Sequence, residues 1–385
     1  MRDSLIGRAS WRAVAVAGST FIVIGCGGGE AEPPGGGEPA PKKSVTSCSV
    51  ESDVVVGTGK ATSTAIAFHG GRFAVAWTDE GRDGGDVMLT VLDENGRVDR
   101  TVTITTEKEK STSPAITATD DGFLVVWQDV SDNGGKLRAA RVDKDGAVQG
   151  SAYTITETTG AEAHPAVVQT DAGPMVAWTE AHDAVVTMAG TGAPRARSTM
   201  PAGTQIALAG GDDAAAVWVD GSKIAFARIG APPTQRTPTP MRFRNAAGRA
   251  NLPRLAAGPD DDFAVVWEDA RAGAEKEAVY LTHIDEDGRA SREIILSRAG
   301  GSANTPDVAW LGDRAAVAYY QYRDGPSSIY LTLVDPEAGT VGNELRVSTV
   351  KGARLPRVIW AGGGKLGVTY AERGGPAHLA VVSCK

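Results

Sequence analysis

The sequence is poor in the residues on which most enzyme sites depend. Its 385 residues include five histidines and three cysteines. The histidines are scattered and do not match the spacing of zinc ligands. Neither a Gly-x-Ser-x-Gly nucleophile elbow nor a phosphate-binding loop is present. The sequence therefore predicts no metal, no cofactor and no catalytic residue that a motif would identify.

An excess of positive charge is also lacking. The chain has a net charge of −8, and residues 1–25 contribute three arginines and one aspartate, so the remainder carries about −10. Generic nucleic-acid binding depends on basic surfaces and is excluded by this balance. The main physical consequence of the negative charge is solubility.

Long amphipathic helical patterns are missing after residue 50, and short apolar runs take their place. The stretch Asp121-Gly-Phe-Leu-Val-Val-Trp-Gln-Asp129 is typical, with a turn signal, an apolar run that reads as a strand buried on both faces, a tryptophan and an acid. Related stretches recur with a period near 50. Their key aromatic positions are Trp77, Trp127, Trp178, Trp218, Trp267, Tyr319 and Tyr370. One aromatic strand per unit at a nearly fixed period predicts a radial or stacked repeat.

Each repeat divides into four short strands, A to D. Strand A often begins with proline, and strand B carries the key aromatic residue. Strand C follows a variable polar loop, and strand D follows a tight turn rich in Asp and Gly. The pattern resembles a β-propeller blade. This resemblance implies an all-β fold, a seven-bladed β-propeller of four-stranded antiparallel blades.

The two ends of the chain predict how the ring closes. The last repeat stops at strand C, whereas residues 49–56 align as a strand D that no strand C precedes. We therefore expect the N-terminal strand to complete the last blade. In this alignment Cys48 and Cys384 flank the position of the missing C–D turn. We expect them to form a disulfide in an exported protein, with two free thiols as the alternative.

The N-terminus reads as a targeting segment. Arg2, Arg8 and Arg12 precede a short apolar run, residues 13–25, which is too short for a confident membrane span. The run ends in Gly25-Cys26 and three further glycines, which resembles the lipobox of bacterial lipoproteins. The resemblance implies cleavage before Cys26, lipidation of Cys26 and attachment to the outer membrane, on its periplasmic side or at the cell surface. An ordinary secretory signal is the alternative.

These features divide the chain into three parts. Residues 1–25 are expected to be a lipoprotein signal peptide. Residues 26–43 contain the lipidated cysteine and a Gly, Pro and Glu segment that has almost nothing to bury, so we expect a disordered tether. Residues 44–385 are expected to form the propeller.

Candidate ligand-binding groups are of two kinds. The first is the acid two residues after each key aromatic residue, which would ring the entrance on the face of the B–C loops. A role inside each blade is the alternative, and strict repetition favours it. The second kind lies where the repeat is irregular, in the sixth and third units. The candidates there are Tyr320, Tyr322, Arg323, Asp324, His182 and Asp183.

Three further features have ordinary structural explanations. Trp310 and Trp360 occupy equivalent positions on strand A, away from the B–C loops, and aromatic rings fill cores as readily as they stack on sugars. The Asp-rich turns between strands C and D lack the acids of a calcium loop. Residues 194–254 carry nine basic residues against three acids, which is typical of solvated outer strands. Contact with anionic envelope polymers is the alternative.

Together these features predict a lipid-anchored protein of the bacterial envelope, a monomer that binds or scaffolds through its propeller rather than catalysing a reaction. Its predicted partners are the membrane, through the lipid, and an envelope protein or polysaccharide. The alternative is a carbohydrate-active hydrolase with acids at the B–C loop face, because a sequence does not reveal the separation of two carboxylates.

Overall fold

The computed structural model describes residues 45–385 except 82–84, 106–108, 132–133, 159–162, 191–196, 212, 234–239, 243–248, 272–276, 298–300 and 324. Strands dominate these residues, and a 3-10 turn, Pro259–Asp261, joins two of them. In chain order the strands of the first three blades are β1 (Cys48–Val55), which belongs to the last blade, β2 (Ala61–His69), β3 (Arg72–Asp79), β4 (Asp86–Asp93), β5 (Val98–Thr103), β6 (Lys110–Thr119), β7 (Gly122–Ser131), β8 (Gly134–Asp143), β9 (Val148–Thr158), β10 (Ala166–Thr170), β11 (Gly173–Glu180), β12 (Asp183–Met188) and β13 (Ser198–Met200).

The remaining strands form the last four blades. They are β14 (Gly203–Ala209), β15 (Ala214–Asp220), β16 (Lys223–Ile229), β17 (Met241–Arg242), β18 (Ala250–Ala257), β19 (Phe263–Asp269), β20 (Ala278–Ile284), β21 (Ile294–Ile295), β22 (Ala303–Leu311), β23 (Arg314–Gln321), β24 (Ser328–Asp335), β25 (Thr340–Arg346), β26 (Ala353–Gly362), β27 (Lys365–Glu372) and β28 (Ala377–Cys384).

The strands form seven antiparallel sheets of four, each in the order A-B-C-D. Blades 1 to 6 are consecutive segments from β2 to β25, and blade 7 has the order β26-β27-β28-β1. Each strand A contacts the strands A of the neighbouring blades, and β26 contacts β2, so the inner strands surround a central channel. The predicted seven-bladed propeller is confirmed.

Two faces follow from this topology. The loops from B to C and from D to the next A lie on one face, which we call the upper face. The turns from A to B and from C to D lie on the other, the lower face. Strand β1 starts on the lower face, next to the C-terminus, where the Ser47 and Lys385 backbones exchange hydrogen bonds.

The core lies between the blades. Strand B is apolar on both faces because each face packs on a different neighbour. Trp127 of blade 2, for example, packs in one cluster with Ala74 and Ala76 of blade 1. All seven key aromatic residues are at most 2% exposed, which explains why the period is so regular.

The inner strands contain a bulge that the sequence did not reveal. Strand A was expected to begin at its proline, but β6 starts at Lys110 and the register shifts between Thr112 and Ala115. The residue before the proline, Ser113, has φ of 54°. Blades 5, 6 and 7 repeat this shift. A bulge releases one residue from the ladder, so the missing N–H of proline costs no hydrogen bond there.

The N-terminal strand closes the ring as expected. Strand β1 pairs with β28 from Cys48 opposite Cys384 to Val55 opposite His378. The two cysteines form a disulfide with an S–S distance of 2.03 Å across a sequence separation of 336. The latch and the predicted pairing are both confirmed.

One outer strand is shorter than expected, and another is described only in part. Strand D of blade 3 was predicted over residues 195–200, but it covers Ser198–Met200, and its expected start lies outside the described residues. In blade 4 the described part of the strand expected around Arg242 is Met241–Arg242, and residues 243–248 lie outside the described residues. The tight C–D turns behave as turn chemistry predicts, because Asp93 Oδ1 accepts hydrogen bonds from the Asn95 and Arg97 N–H groups.

Candidate ligand-binding site

The acid that ends each strand B is engaged inside its own blade. Asp129 accepts hydrogen bonds from Trp127 Nε1 at 2.7 Å and from Ser111 Oγ at 2.5 Å, and it lies 3.5 Å from an Arg138 nitrogen. In blade 1, Asp79 accepts backbone N–H groups of Lys60 and Gly81. The corresponding pairs elsewhere are Glu180–Arg197, Asp220–Arg242, Asp269–Arg271, Gln321–Arg323 and Glu372–His378. This geometry supports the structural role for the repeated acids.

Tyrosine replaces tryptophan where strand D supplies an acid. The Tyr319 hydroxyl donates to Glu344 at 2.6 Å and the Tyr370 hydroxyl donates to Asp53 at 2.6 Å. Burial and then these hydrogen bonds raise the pKa of both phenols. Tyr370 therefore connects its blade to the latch strand that carries Asp53.

Arg323 belongs to the same internal network. Its Nη1 lies 2.6 Å from Glu344, its Nε donates to Gln321 at 2.7 Å, and its guanidinium lies 3.9 Å from the centre of the Tyr330 ring. Contacts on three sides leave this arginine little freedom to meet a ligand.

The candidates from the third unit lie in a different part of the ring. His182 is exposed in the B–C turn of blade 3, and Asp183 accepts the Ala202 N–H at 3.0 Å. Blade 3 is three blades away from Tyr320 and Tyr322, so these residues do not form one site. Asp324 lies outside the described residues.

The two strand A tryptophans lie at the lower face, as their positions predict. Trp310 packs on Gly258, where an added Cβ would come within 2.7 Å of its ring, and its Nε1 donates to the Gly312 carbonyl at 2.9 Å. Trp360 is 46% exposed. Neither lies with the two tyrosines on the upper face.

An asymmetric cluster does occur on the upper face, between blades 5 and 6. We call it the mouth cluster and define it as Glu268, Glu277, Asn304, Tyr320 and Tyr322. Glu277, which precedes β20, accepts hydrogen bonds from Asn304 Nδ2 and from Ser302 Oγ, the latter at 2.7 Å. Glu268, on β19, accepts the Thr305 N–H at 2.9 Å. Two carboxylates of blade 5 thus contact the inner strand of blade 6.

The aromatic part of the mouth cluster is partly open to solvent. Tyr322 is 43% exposed. The half-buried Tyr320 ring lies 5.8 Å from it, edge-on at 83°. Exposed aromatic rings beside carboxylates and an amide provide both stacking and hydrogen bonding for a ligand rich in hydroxyl groups.

The charges in the mouth cluster influence one another. Burial raises the pKa of Glu268, and the nearby Glu277 carboxylate raises it further. Burial also raises the pKa of Tyr320, with smaller contributions from Tyr322, Glu268 and Glu277. A carboxyl group whose pKa is raised by burial and by a neighbouring acid, as in Glu268, is typical of functional sites.

Sequence reasoning found the two tyrosines but missed the acids. One signal could have identified Glu268. The position after the key aromatic residue holds Thr78, Gln128, Thr179, Val219, Tyr320 and Ala371 in the other blades. Glu268 is the one acid in that set.

Other parts of the described surface offer less. A polar cavity of about 120 Å³ in blade 2 is lined by Glu109, Asp129, Ser131, Lys136 and Glu157, among others, and it is smaller than usual ligand pockets. Within the described ranges, no three or more His, Cys, Asp and Glu side chains could hold a metal ion. The same ranges contain no helix of the length and apolarity needed to span a membrane.

Known proteins resemble the chain in fold. No protein-family model matches it, and no curated protein matches it. An ulvan lyase, described as a polysaccharide lyase, superposes with a TM-score of 0.60 at 10% identity, over 87% of this chain and 95% of that chain. A fungal alcohol oxidase in complex with copper gives 0.55 at 11% identity, over 88% and 76%. A protein of unknown function from Dyadobacter fermentans gives 0.52 at 13% identity, over 88% and 99%. Identities this low show the fold alone.

Proposed function

We propose that this protein is an exported, lipid-anchored β-propeller that binds a glycan of the bacterial envelope through its mouth cluster. The observation that carries the proposal is the break in symmetry at blades 5 and 6. There the exposed Tyr322 and the half-buried Tyr320 lie near Glu268 and Glu277. The repeated acids elsewhere on this face are engaged inside their blades.

The chemistry of the mouth cluster favours a saccharide. A pyranose ring presents an apolar face that stacks on tyrosine and hydroxyl groups that donate to carboxylates. Asn304, held by Glu277, adds an amide that both donates and accepts hydrogen bonds.

The anchor itself is proposed from the lipobox-like sequence around Cys26. We expect the protein produced in a Gram-negative host to incorporate labelled palmitate and to fractionate with membranes. Cys26→Ser is expected to abolish both. Label on the Cys26→Ser variant would contradict lipidation at this residue.

Glycan binding is tested with the purified full chain on an array of bacterial envelope polysaccharides. Tyr322→Ala should lower binding about two- to tenfold, because stacking of an aromatic ring contributes about 0.5–1.5 kcal/mol. Trp360→Ala is the matched control, since it removes an exposed aromatic ring on the opposite face. Equal binding by wild type and Tyr322→Ala would argue against the mouth cluster.

A carbohydrate-active enzyme is the second candidate. It is favoured by Glu268, whose raised pKa suits a proton donor, and by the nearby Glu277. In this case the protein would release new chain ends from a bound polysaccharide, and Glu268→Gln would abolish that release while retaining binding. If none of the bound polysaccharides gains new chain ends during incubation, the enzyme candidate is contradicted and binding remains as the proposed function.

A further inference from the structure

The inner strands place an unusual set of side chains on the wall of the channel. The strand A residue that pairs with the residue before the key aromatic residue of strand B faces the next blade at this wall. Blades 1 to 4 have alanine at that position, namely Ala65, Ala115, Ala166 and Ala207. Blades 5, 6 and 7 have Arg254, Asp307 and Arg357. One side of the channel is therefore small and apolar at this level, and the other side is charged.

The three charged residues form one connected group. Arg254 Nε lies 4.0 Å from Asp307 Oδ1. The other carboxylate oxygen of Asp307 accepts the Val358 N–H of blade 7 at 2.8 Å. The side chains of Arg254 and Asp307 remain 22% and 14% exposed, so they still reach solvent although protein surrounds them.

The guanidinium groups use few of their donors. Arg254 Nη1 donates to the carbonyl of Pro253 at 2.8 Å, and Arg357 Nη1 donates to the carbonyl of Pro356 at 2.9 Å. These are the hydrogen bonds that the two groups make within the described residues. A guanidinium carries five N–H donors, so most of the donors of Arg254 and Arg357 have no protein acceptor within the described residues.

The group contains charges of both signs. Arg254 lies near Asp307 and near Glu268, which keeps its negative charge while it accepts the Thr305 N–H. Burial and then the proximity of Arg357 lower the pKa of Arg254 to about 10. Burial raises the pKa of Asp307, against the pull of both arginines.

We propose that Arg254 and Arg357 form a binding site in the channel for an oxyanion, a carboxylate or sulfate group, next to Asp307. Arginine pairs suit oxyanions because their planar donors match two oxygen atoms at once. The site is independent of the glycan proposal, since a small anion fills it whether or not the mouth cluster binds a sugar.

Calorimetric titration of the full chain tests the proposal with three probes. Sodium glucuronate carries a carboxylate on a sugar, inorganic sulfate is a free oxyanion, and methyl glucoside is the neutral counterpart. We expect saturable binding of at least one anion at this site. Binding of both would show that any oxyanion suffices, and binding of glucuronate alone would show that a sugar-borne carboxylate is required.

Variants connect the binding to the channel. Arg357→Gln should weaken anion binding about tenfold or more, the effect of removing a charged hydrogen-bonding partner. Asp307→Asn keeps an acceptor for the Val358 N–H and removes the competing negative charge, so it should strengthen binding several-fold, a gain that misfolding would not produce. Arg100→Gln removes a cation from the exposed outer strand β5 and should change nothing.

Two results would overturn the channel site. One is the absence of saturable binding of either anion to the wild type. The other is anion binding that neither Arg357→Gln nor Asp307→Asn alters. Methyl glucoside separates the two proposals because it is a neutral sugar. If it binds to the wild type and binds more weakly to Tyr322→Ala, the mouth cluster is supported independently of the result with the anions.

Discussion

The disulfide of the last blade offers a quantitative prediction. Cys48 and Cys384 join the two ends of the propeller over a sequence separation of 336. The loop-entropy relation for a crosslink of this length gives about 6 kcal/mol of stabilisation, as an upper value. The β1–β28 hydrogen bonds remain when the crosslink is removed, so the double variant Cys48→Ala/Cys384→Ala should fold but be less stable.

The expected change in melting temperature follows from the size of the domain. At about 2.1 cal/mol/K per residue, the roughly 340 residues of the propeller segment give an unfolding entropy near 0.7 kcal/mol/K. A loss of about 3–6 kcal/mol therefore lowers the melting temperature by about 4–8 °C. Thermal unfolding followed by circular dichroism measures it, and the reduced wild type should behave like the double variant.

The same experiment can refute the latch. If the double variant and the reduced wild type have the same melting temperature as the oxidised protein, the crosslink does not restrain the unfolded chain in the way proposed. The single variants Cys48→Ala and Cys384→Ala are the control for the alanine side chains. Each lacks the disulfide and keeps one free thiol, so each should melt at the same temperature as the double variant.

Three further predictions concern the blades. Trp127→Ala should lower the free energy of unfolding by about 3–5 kcal/mol, measured in urea, because it empties a buried site between blades 1 and 2; a loss below about 1 kcal/mol would contradict the role given to the key aromatic residue. Tyr370→Phe removes a donor 2.6 Å from a buried carboxylate oxygen of Asp53, so it should lower the free energy of unfolding by about 1–3 kcal/mol. Tyr322→Phe, on the exposed ring, should leave the free energy of unfolding unchanged. Burial works to raise the pKa of Asp53, but the His378 ring 3.6 Å away and hydrogen bonds from Thr349 and Tyr370 lower it overall from 3.8. Its contribution to stability is therefore present above pH 3.8 and lost as the pH falls through the lowered value; an acid unfolding curve that Asp53→Asn leaves unaltered would oppose this assignment.

Much of the fold was accessible from the sequence because it depends on local pattern. The recurrence of Trp127 and its counterparts, each followed by a polar loop and an Asp-rich turn, defined the blades without any long-range information. The latch was also accessible, since residues 49–56 could be aligned with strands D whose position was known. The bulges were not, because a proline near a strand end is compatible with both a start and a bulge.

The candidate site was only partly accessible because it depends on contacts between blades. Tyr320 and Tyr322 stood out as a local irregularity. Glu277 lies in a B–C loop and reaches Asn304 of the following blade, a contact that no strand pattern encodes. Arg254 and Arg357 each follow a strand A proline, and the sequence does not indicate which side of the strand this residue faces. The bulge in the structure determines that it lies at the channel wall.

We propose that function lies where the ring loses its symmetry, at the mouth cluster, and not in the repeated acids. Polysaccharide binding by the full chain carrying Glu277→Gln is compared with binding by the full chain carrying Asp220→Asn, whose acid occupies the repeated position in blade 4. We expect Glu277→Gln to weaken binding about tenfold, by loss of one charged acceptor, and Asp220→Asn to bind like the wild type. Loss of binding in Asp220→Asn with full binding in Glu277→Gln would contradict this proposal.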